Sequence, residues 1–166
     1  MVILGIDPGI ANTGYGLIKV EQRTLESIDF EVIRTDAKME SAHRLKVIYD
    51  ELIRLVNQYQ PDVFVVEELF FNTNVSSALT VGEARGVVKL AAANTHRQVF
   101  SYTPTQVKQA VIGYGKASKR QVQAMVKVLL KLDEIPRPNH AADALAIAIC
   151  HARCAKAIQL RERYIS

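Results

Sequence analysis

The sequence predicts an α/β fold: a mixed five-stranded sheet, its first three strands antiparallel, with helices on both faces. Three observations carry this expectation. Residues 2–34 hold three consecutive strand patterns separated by short links. From residue 41 the apolar spacing switches to that of a helix. Two later apolar runs, at 63–66 and 99–102, alternate with helical stretches, as strands joined by crossovers do.

Each element follows from its residues. Val2-Ile3-Leu4-Gly5-Ile6 is a short apolar run stopped by the turn signal Asp7-Pro8-Gly9. Residues 13–20 place Tyr15, Leu17 and the stem of Lys19 on one alternating face, and residues 25–34 set Leu25, Ile28, Phe30 and Val32 among polar neighbours. Over residues 41–59, Leu45, Ile48, Leu52, Leu55, Val56 and Tyr59 share a helical face, with Ser41 as the expected cap. After the Pro61-Asp62 break, Val63-Phe64-Val65-Val66 reads as a buried parallel strand that ends abruptly at Glu67-Glu68. Residues 75–94 form a second helix in which Ala78, Gly82 and Gly86 recur at four-residue spacing. Val99-Phe100-Ser101-Tyr102 is the last strand, and Pro104 opens a helix at its favoured first turn. Gly113-Tyr114-Gly115 interrupts that helix, and Ser118 caps another carrying Val122, Met125, Val126, Leu129 and Leu130. Pro136 and Pro138 mark a linker before a final helix from about Asn139 to Arg153.

The length of 166 residues suits one domain, expected over residues 1–155, with 156–166 as a basic tail that is either a helix end or a DNA-contacting extension. Hydrophobic residues make up 49% and charged residues 23%, which excludes a disordered or collagen-like chain. No apolar run approaches the roughly 20 residues of a membrane helix. The opening Met1–Asp7 meets an acid too early for a signal peptide, and two cysteines, Cys150 and Cys154, make no disulfide framework. A cytoplasmic protein without a membrane role is expected.

Charge is unevenly spread. Residues 1–83 hold 7 basic and 13 acidic side chains, a net of −6, whereas residues 84–166 hold 14 basic and 4 acidic, a net of +10. A basic half of that size suits a polyanion, most often nucleic acid, although it also serves solubility.

Against that background three acids stand out. Asp7 and Glu67 each follow a strand of apolar residues, where functional groups gather in parallel and mixed sheets. Asp143 lies in Asn139-His140-Ala141-Ala142-Asp143, three residues from His140 and on the same helix face. Singly, each has an ordinary reading: Asp7 making a turn, Glu67 solvated beside Glu68, His140 bonding a free helix-start N–H, Asp143 complementing the helix dipole. Jointly they point to convergence. Carboxylates brought together repel, and a divalent cation is the usual remedy.

The ordered set of motifs resembles RuvC-type Holliday-junction resolvases. It comprises Gly5-Ile6-Asp7-Pro8-Gly9, Thr13-Gly14-Tyr15-Gly16, Val65-Val66-Glu67-Glu68-Leu69-Phe70, Ala84-Arg85-Gly86-Val87, Gln106-Val107-Lys108-Gln109, the Gly113–Lys119 segment and Ala141-Ala142-Asp143-Ala144-Leu145-Ala146-Ile147-Ala148. The resemblance implies a ribonuclease-H-like fold and a homodimer that cuts four-way DNA junctions by paired nicks, leaving 5′-phosphate and 3′-hydroxyl ends. It implies catalytic acids at Asp7, Glu67 and Asp143, with His140 at a fourth position that is a carboxylate in the better-known version. It further implies family lysines at Lys108 and Lys119, an aromatic wedge at Phe70, and cooperation with the RuvA and RuvB branch-migration proteins.

The chemistry of the residues agrees with the resemblance. Phosphodiester cleavage needs an activated water and a stabilised leaving oxygen, which two cations about 4 Å apart supply, and hard oxygen ligands suit Mg²⁺ or Mn²⁺. On this reading Asp7 bridges two ions, Glu67 holds one side, and His140 and Asp143 hold the other. Lys119 stabilises charge on the scissile phosphate. Lys108, Lys116 and Arg120 contact DNA, Phe70 and Phe71 reach toward it, and Ala78, Gly82 and Gly86 form the dimer seam. Two rivals are weighed. An actin-like or sugar-kinase ATPase shares the Gly-Ile-Asp-x-Gly opening but needs a second such domain. A non-catalytic junction-binding protein would keep the basic surface while losing acids.

Overall fold

The computed structural model describes residues 1–22, 24–68 and 75–165, without the side chains of 75–77 and 156–165. Its sheet comprises β1 (Val2–Asp7), β2 (Asn12–Glu21), β3 (Thr24–Arg34), β4 (Val63–Glu67) and β5 (Gln98–Tyr102), in the order β3-β2-β1-β4-β5. The β1–β2 and β2–β3 pairs are antiparallel, and β1–β4 and β4–β5 are parallel. The helices are α1 (Ser41–Tyr59), α2 (Val75–Asn94), α3 (Pro104–Ile112), α4 (Lys119–Leu130) and α5 (Asn139–Ile165). The predicted mixed sheet, its antiparallel opening and its two helical layers are all present.

Strand alternation divides the core into two layers. Leu4, Ile6, Leu17, Phe64 and Val66 pack against Ile48, Leu52, Leu55 and Val56 of α1 and Ala84, Val88 and Ala91 of α2. Ile3, Ile18 and Val65 pack on the opposite face against α3, α4 and α5, where Leu145, Ile147 and Ile149 are fully or nearly fully buried. Truncating a fully buried leucine such as Leu52 to alanine costs about 2–5 kcal/mol, so these layers set the fold.

The ends of the elements obey local chemistry with two corrections. Ser118 caps α4 as expected, its hydroxyl accepting from the Gln121 N–H while the Gln121 side chain accepts from the Ser118 N–H. Thr103 and Gln106 build the same box ahead of Pro104. Ser41 does not cap α1: it is already helical, and the capping position is Glu40, whose side chain makes no cap hydrogen bond and instead reaches His43 at 3.4 Å. Helix α5 continues beyond Arg153, as far as Ile165. Among the described residues no helix is long and apolar enough to cross a membrane.

Candidate active site

The alternation that builds the core also aims the acids. In β1, Ile3 lies on the α5 side and Leu4 and Ile6 on the other, so the same count turns Asp7 toward α5. In β4, Val65 lies on the α5 side, which turns Glu67 the same way. The two strands are parallel neighbours with Ile6 beside Val66, so both carboxylates emerge at one end of the sheet.

The third acid arrives because α5 lies unusually close to the sheet. A Cβ added to Gly14 would stand 2.1 Å from the carbonyl oxygen of His140, and one on Gly5 would stand 2.1 Å from that of Ala144. Only glycine permits this approach of helix to strand. The start of α5 is thereby laid beside the end of β1. His140 Nδ1 sits 2.7 Å from Asp7 Oδ2, and Asp143 accepts a 2.5 Å hydrogen bond from Lys119 Nζ. One ligand atom from each of Asp7, His140 and Asp143 falls within 4.8 Å of the others.

Glu67 stands outside that trio and shares a different space with it. Asp7, Glu67 and Asp143 line a cleft of about 250 Å³ together with Lys108 and Lys119. His140 instead borders a second recess, formed by residues 9–12 with Thr80 and Val81. Asp7 therefore lies between two sets of donors, Glu67 on one side and the imidazole on the other.

The electrostatics are those of a site in need of cations. Burial pushes the Asp7 carboxyl above its ordinary value, as does Asp143, while the hydrogen bond from His140 and the charges of His140 and Lys119 oppose the rise. Glu67 is pushed up to about 7, first by burial and then by repulsion from Asp7 and Asp143, with Lys119 and Lys108 opposing. A divalent ion would favour the ionised forms of both. The donor set, carboxylates plus one imidazole, fits Mg²⁺ or Mn²⁺, with the imidazole the better partner for Mn²⁺.

Other predicted residues fall around this centre. Lys108 and Lys119 are in the cleft wall; Lys116 and Arg120 are exposed on the segment that leads into α4 and along its first turn. Gly82 and Gly86 do not pack α2 on its own sheet: a Cβ at either meets no described atom within 4 Å, while Ala84, Val88 and Ala91 supply the buried face. Leu79 and Leu90 on that helix are 65% and 54% exposed, and Ala78 is half-buried. Phe70 and Phe71 lie outside the described residues.

Sequence reasoning missed the support of the turn after Asp7. Thr13, fully buried, donates to the Gly9 carbonyl at 2.7 Å. Thr35 donates to the Ile10 carbonyl at 2.5 Å and accepts from Arg44 Nε at 2.8 Å. A threonine directly before Gly14 at the start of a strand was the available signal for Thr13; nothing local marks Thr35.

Carboxylates gathered where parallel strands end, with an imidazole among them and lysines at the rim, are equipped to hold divalent ions against a phosphate. On this sheet topology they define a ribonuclease-H-like nuclease. A model of the family described as crossover junction endodeoxyribonuclease RuvC matches residues 3–151. The chain belongs to that family. It is 55% identical over 152 residues to the crossover junction endodeoxyribonuclease RuvC of Alkaliphilus metalliredigens, covering 92% of this chain and 93% of that one. A solved structure of T. thermophilus RuvC in complex with Holliday junction substrate superposes with a TM-score of 0.91 at 39% identity, covering 95% of this chain and 96% of that one. The yeast mitochondrial Holliday junction resolvase Ydc2, 15% identical with a TM-score of 0.70, shares the fold.

Proposed function

We propose that this protein resolves four-way DNA junctions in homologous recombination and repair, as a cytoplasmic homodimer that makes two symmetric nicks with 5′-phosphate and 3′-hydroxyl ends. The observation that carries the reading is the convergence of Asp7, Glu67, His140 and Asp143 from three separate elements at one sheet end. Relatives named as junction endonucleases over nearly the whole chain support the substrate class.

Two Mg²⁺ or Mn²⁺ ions per site would supply an activated water and charge stabilisation of the leaving 3′ oxygen. Asp7, with Glu67 to one side and His140 and Asp143 to the other, would hold these ions. Lys119, already at the acid cluster, turns to the scissile phosphate and offsets its charge. Lys108 holds a neighbouring phosphate, and Lys116 and Arg120 anchor the strand beyond it. Phe70, three residues after Glu67, supplies an aromatic wedge at the crossover, with Phe71 beside it.

A junction has two-fold symmetry and the described residues of one chain hold one such cluster, so a C2 dimer matches two sites to two strands. The open face of α2, with Ala78, Gly82 and Gly86 at four-residue spacing and exposed Leu79 and Leu90 on the same helix, suits the seam. RuvA and RuvB, which the family resemblance brings with it, are the proposed branch-migration partners. The test is a nicking assay on a synthetic four-way junction in the presence and absence of Mn²⁺ or Mg²⁺. Metal-dependent paired nicks are expected; binding without cutting in any divalent metal would favour a non-catalytic junction-binding protein.

A further inference from the structure

Tyr114 lies in the segment between α3 and α4 and is 47% exposed. It makes no hydrogen bond, ion pair or ring contact with any described residue. The backbone around it is fixed. Gly113 ends α3 in the left-handed region, at φ 101°, with its N–H donated to the Gln109 carbonyl. Gly115 then folds back over the start of α3, so closely that a Cβ there would stand 2.7 Å from Thr105 Cγ2. Ala117 is buried, Ser118 caps α4, and Lys119 reaches Asp143.

That path puts Tyr114 on the link between two elements that line the acidic cleft, α3 through Pro104, Val107 and Lys108 and α4 through Lys119 and Val122. Its neighbour Gly115 touches Thr105, whose own neighbour Pro104 lines the cleft, and adjacent Cα atoms are only about 3.8 Å apart. The following residues Lys116, Lys119 and Arg120 are all exposed cations. An unpartnered aromatic set among lysines and an arginine beside a phosphodiester site has the make-up of a strand-binding groove: cations track the backbone while the ring accepts a base.

We infer that Tyr114 is a second aromatic contact to the DNA strand, stacking on a base near the scissile phosphate from the link between α3 and α4. This rests on the junction-cleaving reading above. It adds to that reading a ring whose contact is insensitive to salt, beside cations whose contacts are not.

The chain has no tryptophan, so Tyr114→Trp provides a single fluorophore at the proposed contact. Adding a synthetic four-way junction in Ca²⁺ should quench that fluorescence, and quenching should be absent when a polyglutamate of equal charge is added instead. Tyr114→Ala should weaken junction binding roughly five- to fifteenfold, with the melting temperature and the slope of binding against salt unchanged. Tyr114→Phe should bind within about twofold of the wild type, because the ring face carries the contact. Lys116→Ala should lower the salt slope instead. Unquenched Tyr114→Trp fluorescence, normal binding by Tyr114→Ala, equal losses in the alanine and phenylalanine variants, or a fall in melting temperature would each overturn the inference. A wild-type protein that does not bind a junction at all would overturn the functional reading beneath it, which separates the two failures.

Discussion

His140 Nδ1 lies 2.7 Å from Asp7 Oδ2, a contact that joins positions 133 residues apart. The pair shows how the site is assembled: a helix start is pressed against a strand end through glycine, and an imidazole there meets a carboxylate.

The first prediction concerns that imidazole. Nitrogen is a softer donor than a carboxylate oxygen and is better tolerated by Mn²⁺ than by Mg²⁺. Wild-type cleavage should therefore favour Mn²⁺, and His140→Asp should move the preference toward Mg²⁺ in a side-by-side metal titration. His140→Ala should lose at least about tenfold in either metal. An unchanged metal preference in His140→Asp would show that His140 does not bind the ion.

A second prediction follows from Glu67. Its ordinary value of 4.5 rises to about 7 in the fold because burial and the neighbouring acids disfavour the charge. The protonated form is the comfortable one, so the metal-free fold loses stability as pH rises from about 4.5 through about 7. Glu67→Gln should raise the melting temperature of the metal-free protein at pH 8, by roughly 2–4 °C for each kcal/mol relieved, while abolishing cleavage. Added Mn²⁺ should stabilise the wild type more at pH 8 than at pH 6. Equal metal-induced shifts at the two pH values would remove Glu67 from the metal site.

Much of this was legible in the sequence, and the reason is position. Apolar runs that end at Asp7 and Glu67 marked both acids as strand-end residues, while the face that each turns to came only with the packed layers. Asp143 and His140 were legible as a pair because three residues is nearly one helical turn. What could not be read was how near α5 would lie, since that depends on Gly5 and Gly14 meeting backbone carbonyls across the fold. The division of the donors between two recesses, and the Thr13 and Thr35 bonds that hold the turn after Asp7, are likewise products of tertiary contact. Ser41 misled for a local reason: a good capping residue stood one position inside the helix.

Gly14 gives a third prediction. Gly14→Ala would place a methyl 2.1 Å from the His140 carbonyl, a backbone atom that cannot rotate away. The helix start must shift, at a cost of about 1–3 kcal/mol or more. Thermal unfolding should register the loss, and cleavage should fall further than stability alone explains, because the shift parts His140 from Asp7. A variant with wild-type stability and activity would mean that α5 is not held where the glycine allows.

A fourth prediction tests the seam. A Cβ added at Gly82 or Gly86 meets no described atom beyond its own helix within 4 Å, so with leucine at either position the monomer should stay folded. If α2 is the dimer seam, light scattering should report monomers, and these should fail to nick both strands of a junction. Dimers that persist in both variants would place the seam elsewhere, and unfolding of both would return the glycines to the core.

The central claim is that the cluster around Asp7 cuts junction DNA by holding divalent metal, and Asp7→Asn addresses it with the least change of shape. Cleavage of a synthetic four-way junction should be measured for wild type and Asp7→Asn across Mn²⁺ and Mg²⁺, alongside binding of the same junction in Ca²⁺. The account predicts metal-dependent paired nicks by the wild type, and a variant that binds the junction normally yet does not cut it. Cutting by Asp7→Asn at near the wild-type rate would contradict it.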